Sequence, residues 1–122
     1  MNITLLARSL FAIALIGVTV LAVVPQESVI VTSGWDKANH LIAFFVLLAL
    51  LDTAYPALYF LRQKILILIG YGILLELLQG MIADRDASLL DVLADCAGLA
   101  VYAIIRPALL PLLYRLRLRN RV

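Results

Sequence analysis

The chain has 122 residues, of which 65%, or about 79, are apolar and 15% are charged, with a net charge of +2; its mean hydropathy is +1.07. Four membrane helices of about 20 residues need about 80 such residues, and an average soluble domain carries about 25% charge, so an ordinary soluble domain, a disordered chain and a large extramembrane domain are all excluded. The single cysteine, Cys96, rules out an intrachain disulfide and a cysteine-rich metal site.

Taken in order, the apolar runs predict four membrane spans and an all-α fold: a four-helix transmembrane bundle with short loops and a basic C-terminal tail. The first span covers residues 5–24 and ends at Pro25. It is too long for the apolar core of a signal peptide and lacks a small-x-small cleavage pair, so it is read as an uncleaved helix, with Arg8 snorkelling to the nearby surface. The second covers residues 37–55, with Ser33 or Asp36 as N-cap and Trp35, Tyr55 and Tyr59 as interfacial aromatics. The third covers residues 65–83. The fourth starts near Ser88 and is expected to end at residue 105, because Arg106 precedes Pro107 and a residue before proline avoids the helical region; a single kinked helix to Tyr114 is the less favoured reading. Residues 107–122 are then an interfacial segment followed by the RLRLRNR tail. The whole chain reads as one membrane domain.

Basic residues set the expected orientation. Arg8, Arg62, Lys64, Arg106, Arg115, Arg117, Arg119 and Arg121 fall on the side of the N-terminus, and only Lys37 and Arg85 fall on the other. Both termini are therefore expected in the cytoplasm, and the bias argues against a dual-topology exporter. The tail is expected to attract anionic lipid rather than nucleic acid, since it abuts a membrane helix.

The acids show the opposite bias. Asp52 alone lies toward the cytoplasmic side, and that half of the spans is otherwise read as apolar; Glu27, Asp36, Glu76, Asp84, Asp86, Asp91 and Asp95 lie toward the outer side. An ionised residue inside the hydrocarbon costs about 2.5–3.5 kcal/mol on insertion scales, so such groups are expected to face one another or water. Helical rise places Glu76 and Asp95 each about 10 Å below the outer end of its span. Gly72, Glu76 and Gln79 or Gly80 share one stripe, and Asp91, Asp95 and Gly98 share another. With His40 one turn below Asp36, three helices send polar side chains into one layer, and a cleft is expected above the Asp-to-Gly stripe.

These residues also carry a resemblance. Asp36-Lys37-Ala38-Asn39-His40 resembles the D-K-x-x-H opening of VanZ-like membrane proteins, Glu76-Leu77-Leu78-Gln79 resembles their E-x-x-Q, Arg85 matches the arginine of the following loop, and Ser88 to Gly98 is similar to their S-x-x-D-x-x-x-N-x-x-G. The resemblance covers about residues 35–102. Asp95 stands where that family usually has asparagine, which adds a carboxylate at depth. The resemblance implies a setting in the bacterial cytoplasmic membrane and the cell envelope, with an association with resistance to the glycopeptide teicoplanin; it does not supply a reaction.

The site residues read from the sequence are Asp36, His40, Glu76, Gln79, Arg85, Asp91 and Asp95 for ligand binding, with His40, Glu76 and Asp95 as the candidates for chemistry. Arg85 is read either as a loop partner of Asp84 or Asp86 or as a fork that folds over Glu76 and Asp95 or clamps a phosphate. Several also have a structural alternative: a protonated Glu76 bonded across helices to Gln79 or His40, a capping Asp36 with a satisfied His40, and an Asp91 that complements a helix dipole, an explanation for which Asp95 lies too deep. Three function classes remain. A binding protein would engage membrane lipid, a lipid-linked envelope precursor or a glycopeptide, with the acidic excess favouring a cationic ligand or a metal-bridged anionic one. A small membrane enzyme would use His and carboxylate groups for acid–base chemistry or would hold a divalent metal, although no nucleophile signature is present. A proton-coupled transporter is disfavoured because four short helices leave little room for a two-gated path. Binding is favoured over catalysis, no metal ligand set is assigned, and the oligomeric state is left open.

Overall fold

The computed structural model describes residues 2–24, 33–57, 60–82 and 86–119. Its helices are α1 (Ile3–Val23), α2 (Ser33–Ala54), α3 (Leu61–Ile82) and α4 (Leu89–Arg119). All four are long and apolar enough to cross a membrane, and the chain is an all-α four-helix bundle of a multi-pass membrane protein.

Local chemistry sets several of the helix ends. Asn2 Oδ1 accepts from the Thr4 amide at 3.0 Å and caps α1. At the start of α3, the Gln63 side chain reaches back to the Phe60 amide at 2.9 Å, the reciprocal half of a capping box. Ser88 opens α4, its Oγ accepting from the Asp91 amide at 3.3 Å. Ser9 and Thr19 donate their hydroxyls to the carbonyls of Leu5 and Leu15 one turn back, so these hydroxyls are satisfied within an apolar helix.

The packing is that of a membrane bundle. Ile13, Ile16, Leu66, Met81, Leu89 and Ile104 are between 64% and 82% exposed, a pattern that suits lipid and not water. Inside, α2 is the central helix. Its Phe44, Leu47, Leu48 and Leu51 recur at helical spacing and form the core with Leu68 and Leu75 of α3 and Leu99 and Tyr102 of α4. Because lipid tails are as apolar as leucine, close van der Waals fit and polar contacts hold such helices together.

Gly98 of α4 supplies the closest fit. A Cβ placed there would run into the carbonyl of Leu41 and lie 3.0 Å from the Phe45 amide nitrogen. Gly72 of α3 faces the same layer: a Cβ there would lie 2.6 Å from Asp95 Oδ2 and 3.2 Å from the Phe44 ring. The expected stripes therefore do point inward, and of the two residues offered for the third place in the α3 stripe, Gln79 is buried and Gly80 is exposed.

The fourth helix differs from expectation. The break expected at Arg106-Pro107 does not occur; α4 continues through Pro107 and Pro111 to Arg119, so residues 107–119 are helix rather than a separate segment. Each proline removes one helix bond, and tertiary contact with α2 on both sides of Pro107 outweighs that local bias. Side chains from this stretch also grip α2: Arg106 bonds to Asp52, and Arg117 Nη2 donates to the Thr53 carbonyl at 3.2 Å.

Candidate functional site

His40 sits on the second turn of α2, facing α3 and α4. Its Nδ1–H donates to Asp95 Oδ1 at 2.8 Å. Its Nε2 lies 3.9 Å from Glu76 Oε1 and 3.9 Å from Asp91 Oδ2, which is too far for a hydrogen bond but close for an electrostatic contact. The imidazole is thus the meeting point of three carboxylates from two other helices. Asp36, one turn before His40, has a carboxylate oxygen within 4.8 Å of both a His40 nitrogen and an Asp91 oxygen.

The second layer fixes these groups. Glu76 Oε2 accepts from the Ser88 amide at 2.8 Å, so the α3 carboxylate rests against the positive end of the α4 dipole. Lys37 Nζ lies 3.6 Å from Asp91 Oδ1, with the lysine side chain 44% exposed. Gln79 is buried on the Glu76 face. Asp95 Oδ2 points to the space that Gly72 leaves and has no hydrogen-bond partner.

His40, Glu76, Asp91 and Asp95 are therefore brought together, with Asp36 beside them and Gln79 on the same stripe. Arg85, together with Asp84, Glu27 and Tyr59, lies outside the described residues. The four central side chains are largely buried: the His40 side chain is 13% exposed, Glu76 5%, Asp91 9% and Asp95 2%; the cleft expected above the stripe borders residues 25–32 and 83–85, which lie outside the described residues. Carboxylates buried beside an imidazole can move a proton, hold a cation, or order the polar head of a larger ligand.

A second polar group was not anticipated. At the opposite end of α2, Asp52 is buried and accepts from Lys64 Nζ at 2.8 Å, Tyr102 Oη at 2.9 Å, Arg106 Nε at 2.6 Å and Arg106 Nη2 at 3.3 Å. Lys64 is only 1% exposed. The neighbouring carbonyls of Thr53 and Ala54 accept from Arg117 and Arg8, and the Arg8 guanidinium also stacks 4.9 Å over the Tyr55 ring. Four basic side chains from α1, α3 and α4 thus surround the negative end of the α2 dipole. The half of the bundle expected to be apolar apart from Asp52 holds an ion network. One signal for it was present: Tyr102 and Arg106 are four residues apart on one helix face, and an acid at depth requires a named partner.

Comparison with known proteins adds no relative: no family model, no curated protein and no solved structure matches the chain.

Proposed function

We propose that this chain is a VanZ-like protein of the bacterial cytoplasmic membrane, with both termini in the cytoplasm, whose outer-half polar site binds the head of an envelope amphiphile: a lipid, a lipid-linked cell-wall precursor or a glycopeptide. The observation that carries this reading is the convergence of Asp95 and Asp91 from α4 and Glu76 from α3 on the His40 ring of α2. Buried carboxylates at that depth are costly, and ligand binding gives them a use that a leucine would not serve. The Asp52 network already supplies polar glue at the other end, so these carboxylates are not needed for that purpose.

The His40–Asp95 bond also favours a second reading, a small membrane enzyme. A carboxylate that fixes one ring nitrogen leaves the other oriented for proton transfer, with Glu76 as the acid facing it.

His40→Ala, Glu76→Ala and Asp95→Ala are each expected to abolish protein-dependent tolerance to teicoplanin while still inserting in the membrane, checked by susceptibility testing and membrane fractionation. Wild-type tolerance in all three variants rejects a shared site. Native mass spectrometry of the gently purified protein is expected to retain about one amphiphile per chain; a processed product released on incubation supports the enzyme reading instead. Orientation has its own check. A reporter fused after Val122 is expected to be active only in the cytoplasm, and activity outside overturns the orientation.

A further inference from the structure

We propose that Asp36, His40 and Asp91 form a binding site for a divalent cation, with Asp95 as the residue that orients the histidine and Glu76 as a further carboxylate on the same face. This deepens the reading of the outer-half polar group as a ligand site and rests on it.

Three observations carry the proposal. First, one donor atom from each of Asp36, His40 and Asp91 lies within 4.8 Å of the other two. In a tetrahedral site with bonds near 2.1 Å, donors stand about 3.4 Å apart, so side-chain rotations that close the set by up to about 1.4 Å bring all three onto one ion. Second, the histidine is arranged as metal-bound histidines are: one ring nitrogen donates to a carboxylate, which fixes the tautomer and turns the other lone pair toward the ion. Here Nδ1 serves Asp95 at 2.8 Å, and Nε2 faces Asp91 and Glu76 at 3.9 Å. That separation is too long for a hydrogen bond and suits an atom placed between. Third, Asp91 is only 7% exposed, yet its Oδ1 is buried with no hydrogen-bond partner. That oxygen meets the Lys37 ammonium at 3.6 Å without a hydrogen bond, while Oδ2 faces His40; a carboxylate buried with so little compensation is costly, and a metal ion held by Oδ2 and the imidazole adds to it.

Lys37 fits the same picture. Its ammonium stands 3.6 Å from Asp91 Oδ1 on a side chain that is 44% exposed, so it supplies positive charge beside the acid and is free to swing into solvent when an ion arrives. Two carboxylates and one imidazole suit Mn²⁺ or Zn²⁺. A protein set of three leaves coordination positions open, where a phosphate or carboxylate of an amphiphile can complete the shell.

The test uses the full chain in detergent, stripped with chelator and titrated with Mn²⁺. Loss of the free-ion paramagnetic resonance signal is expected to show about one ion per chain, and pulsed measurements are expected to show coupling to a histidine nitrogen. Asp91→Asn is expected to weaken binding by at least the factor seen for Asp95→Asn, which should be about 10–100-fold. Lys37→Gln is expected to bind several-fold more tightly, because a competing charge is removed. If the cluster is only a set of structural ion pairs, Lys37→Gln will not raise affinity, and the proposal falls. No Mn²⁺ uptake by the wild-type chain, or uptake without nitrogen coupling, overturns it and needs no variant that must fold. An amphiphile recovered from protein that takes up no metal also overturns this proposal while leaving the binding function standing. Uptake of the ion with no amphiphile recovered supports the metal site and counts against the binding function.

Discussion

Replacing Asp52 with alanine will lower the stability of the purified protein by about 3–5 kcal/mol, the cost of removing one partner of a buried ion pair. Asp52 gathers Lys64, Tyr102 and Arg106 from two other helices, and Lys64 is 1% exposed. Without the carboxylate, an ammonium remains in the packed interior with no counter-ion, while Arg106, with 28% of its side chain exposed, can turn away to water or a lipid phosphate. Lys64 is therefore the residue that carries the penalty. Unfolding of the protein in mixed micelles measures it, and a cycle assigns it: Lys64→Met should cost little in an Asp52→Leu background, because an apolar pair of similar volume replaces the buried charges. A loss below about 1 kcal/mol for Asp52→Ala, as expected for an exposed pair, would show that the network is hydrated. Mn²⁺ binding at the other end should be unchanged in any folded Asp52 variant, since His40 lies twelve residues, or about 18 Å, away along α2.

The bundle and the convergence of polar side chains at one end of it were legible in the sequence for one reason: membrane helices are long, and their period is fixed. Runs of about 20 apolar residues reveal spans by length alone. Once helix is granted, the spacing of Asp91, Asp95 and Gly98, and of Gly72, Glu76 and Gln79, fixes which side chains share a face. The cost of burying acids then says that those faces meet. The Asp52 network was not legible on the same terms. Lys64 and Arg106 lie near span ends, where basic residues ordinarily snorkel outward to the surface, and composition treats them as orientation markers. Whether such an arm reaches out or in depends on which helix lies beside it, and that is a property of the packed bundle. Pro107 shows the same limit. Its local preference predicts a helix end, but α4 is held against α2 on both sides of it by Arg106 and Arg117, and tertiary contact overrides local bias.

Gly98→Ala should be the most damaging of the alanine substitutions at Gly17, Gly70, Gly72 and Gly98, costing about 3 kcal/mol or more, at the upper end of overpacking penalties. The atoms a Cβ meets there are the Leu41 carbonyl and the Phe45 amide nitrogen, and backbone of a neighbouring helix cannot rotate out of the way. α2 and α4 must therefore separate, and since Leu41 follows His40 directly, the His40–Asp95 bond opens with them. Gly72→Ala meets different obstacles: the Asp95 carboxylate at 2.6 Å and the Phe44 ring at 3.2 Å. Both can turn, so a smaller loss of about 1–3 kcal/mol is expected. The displaced carboxylate should still release the imidazole, so Gly72→Ala should lose Mn²⁺ affinity out of proportion to its loss of stability. Gly17 and Gly70 have nothing within 4 Å of an added Cβ. Alanine there should be neutral or stabilising by up to about 1 kcal/mol, from helix propensity alone. Unfolding of the four variants in parallel tests this order. If Gly98→Ala proves as stable as Gly70→Ala, then α2 and α4 do not approach as closely as the structure requires, and a His40 held by that approach no longer follows.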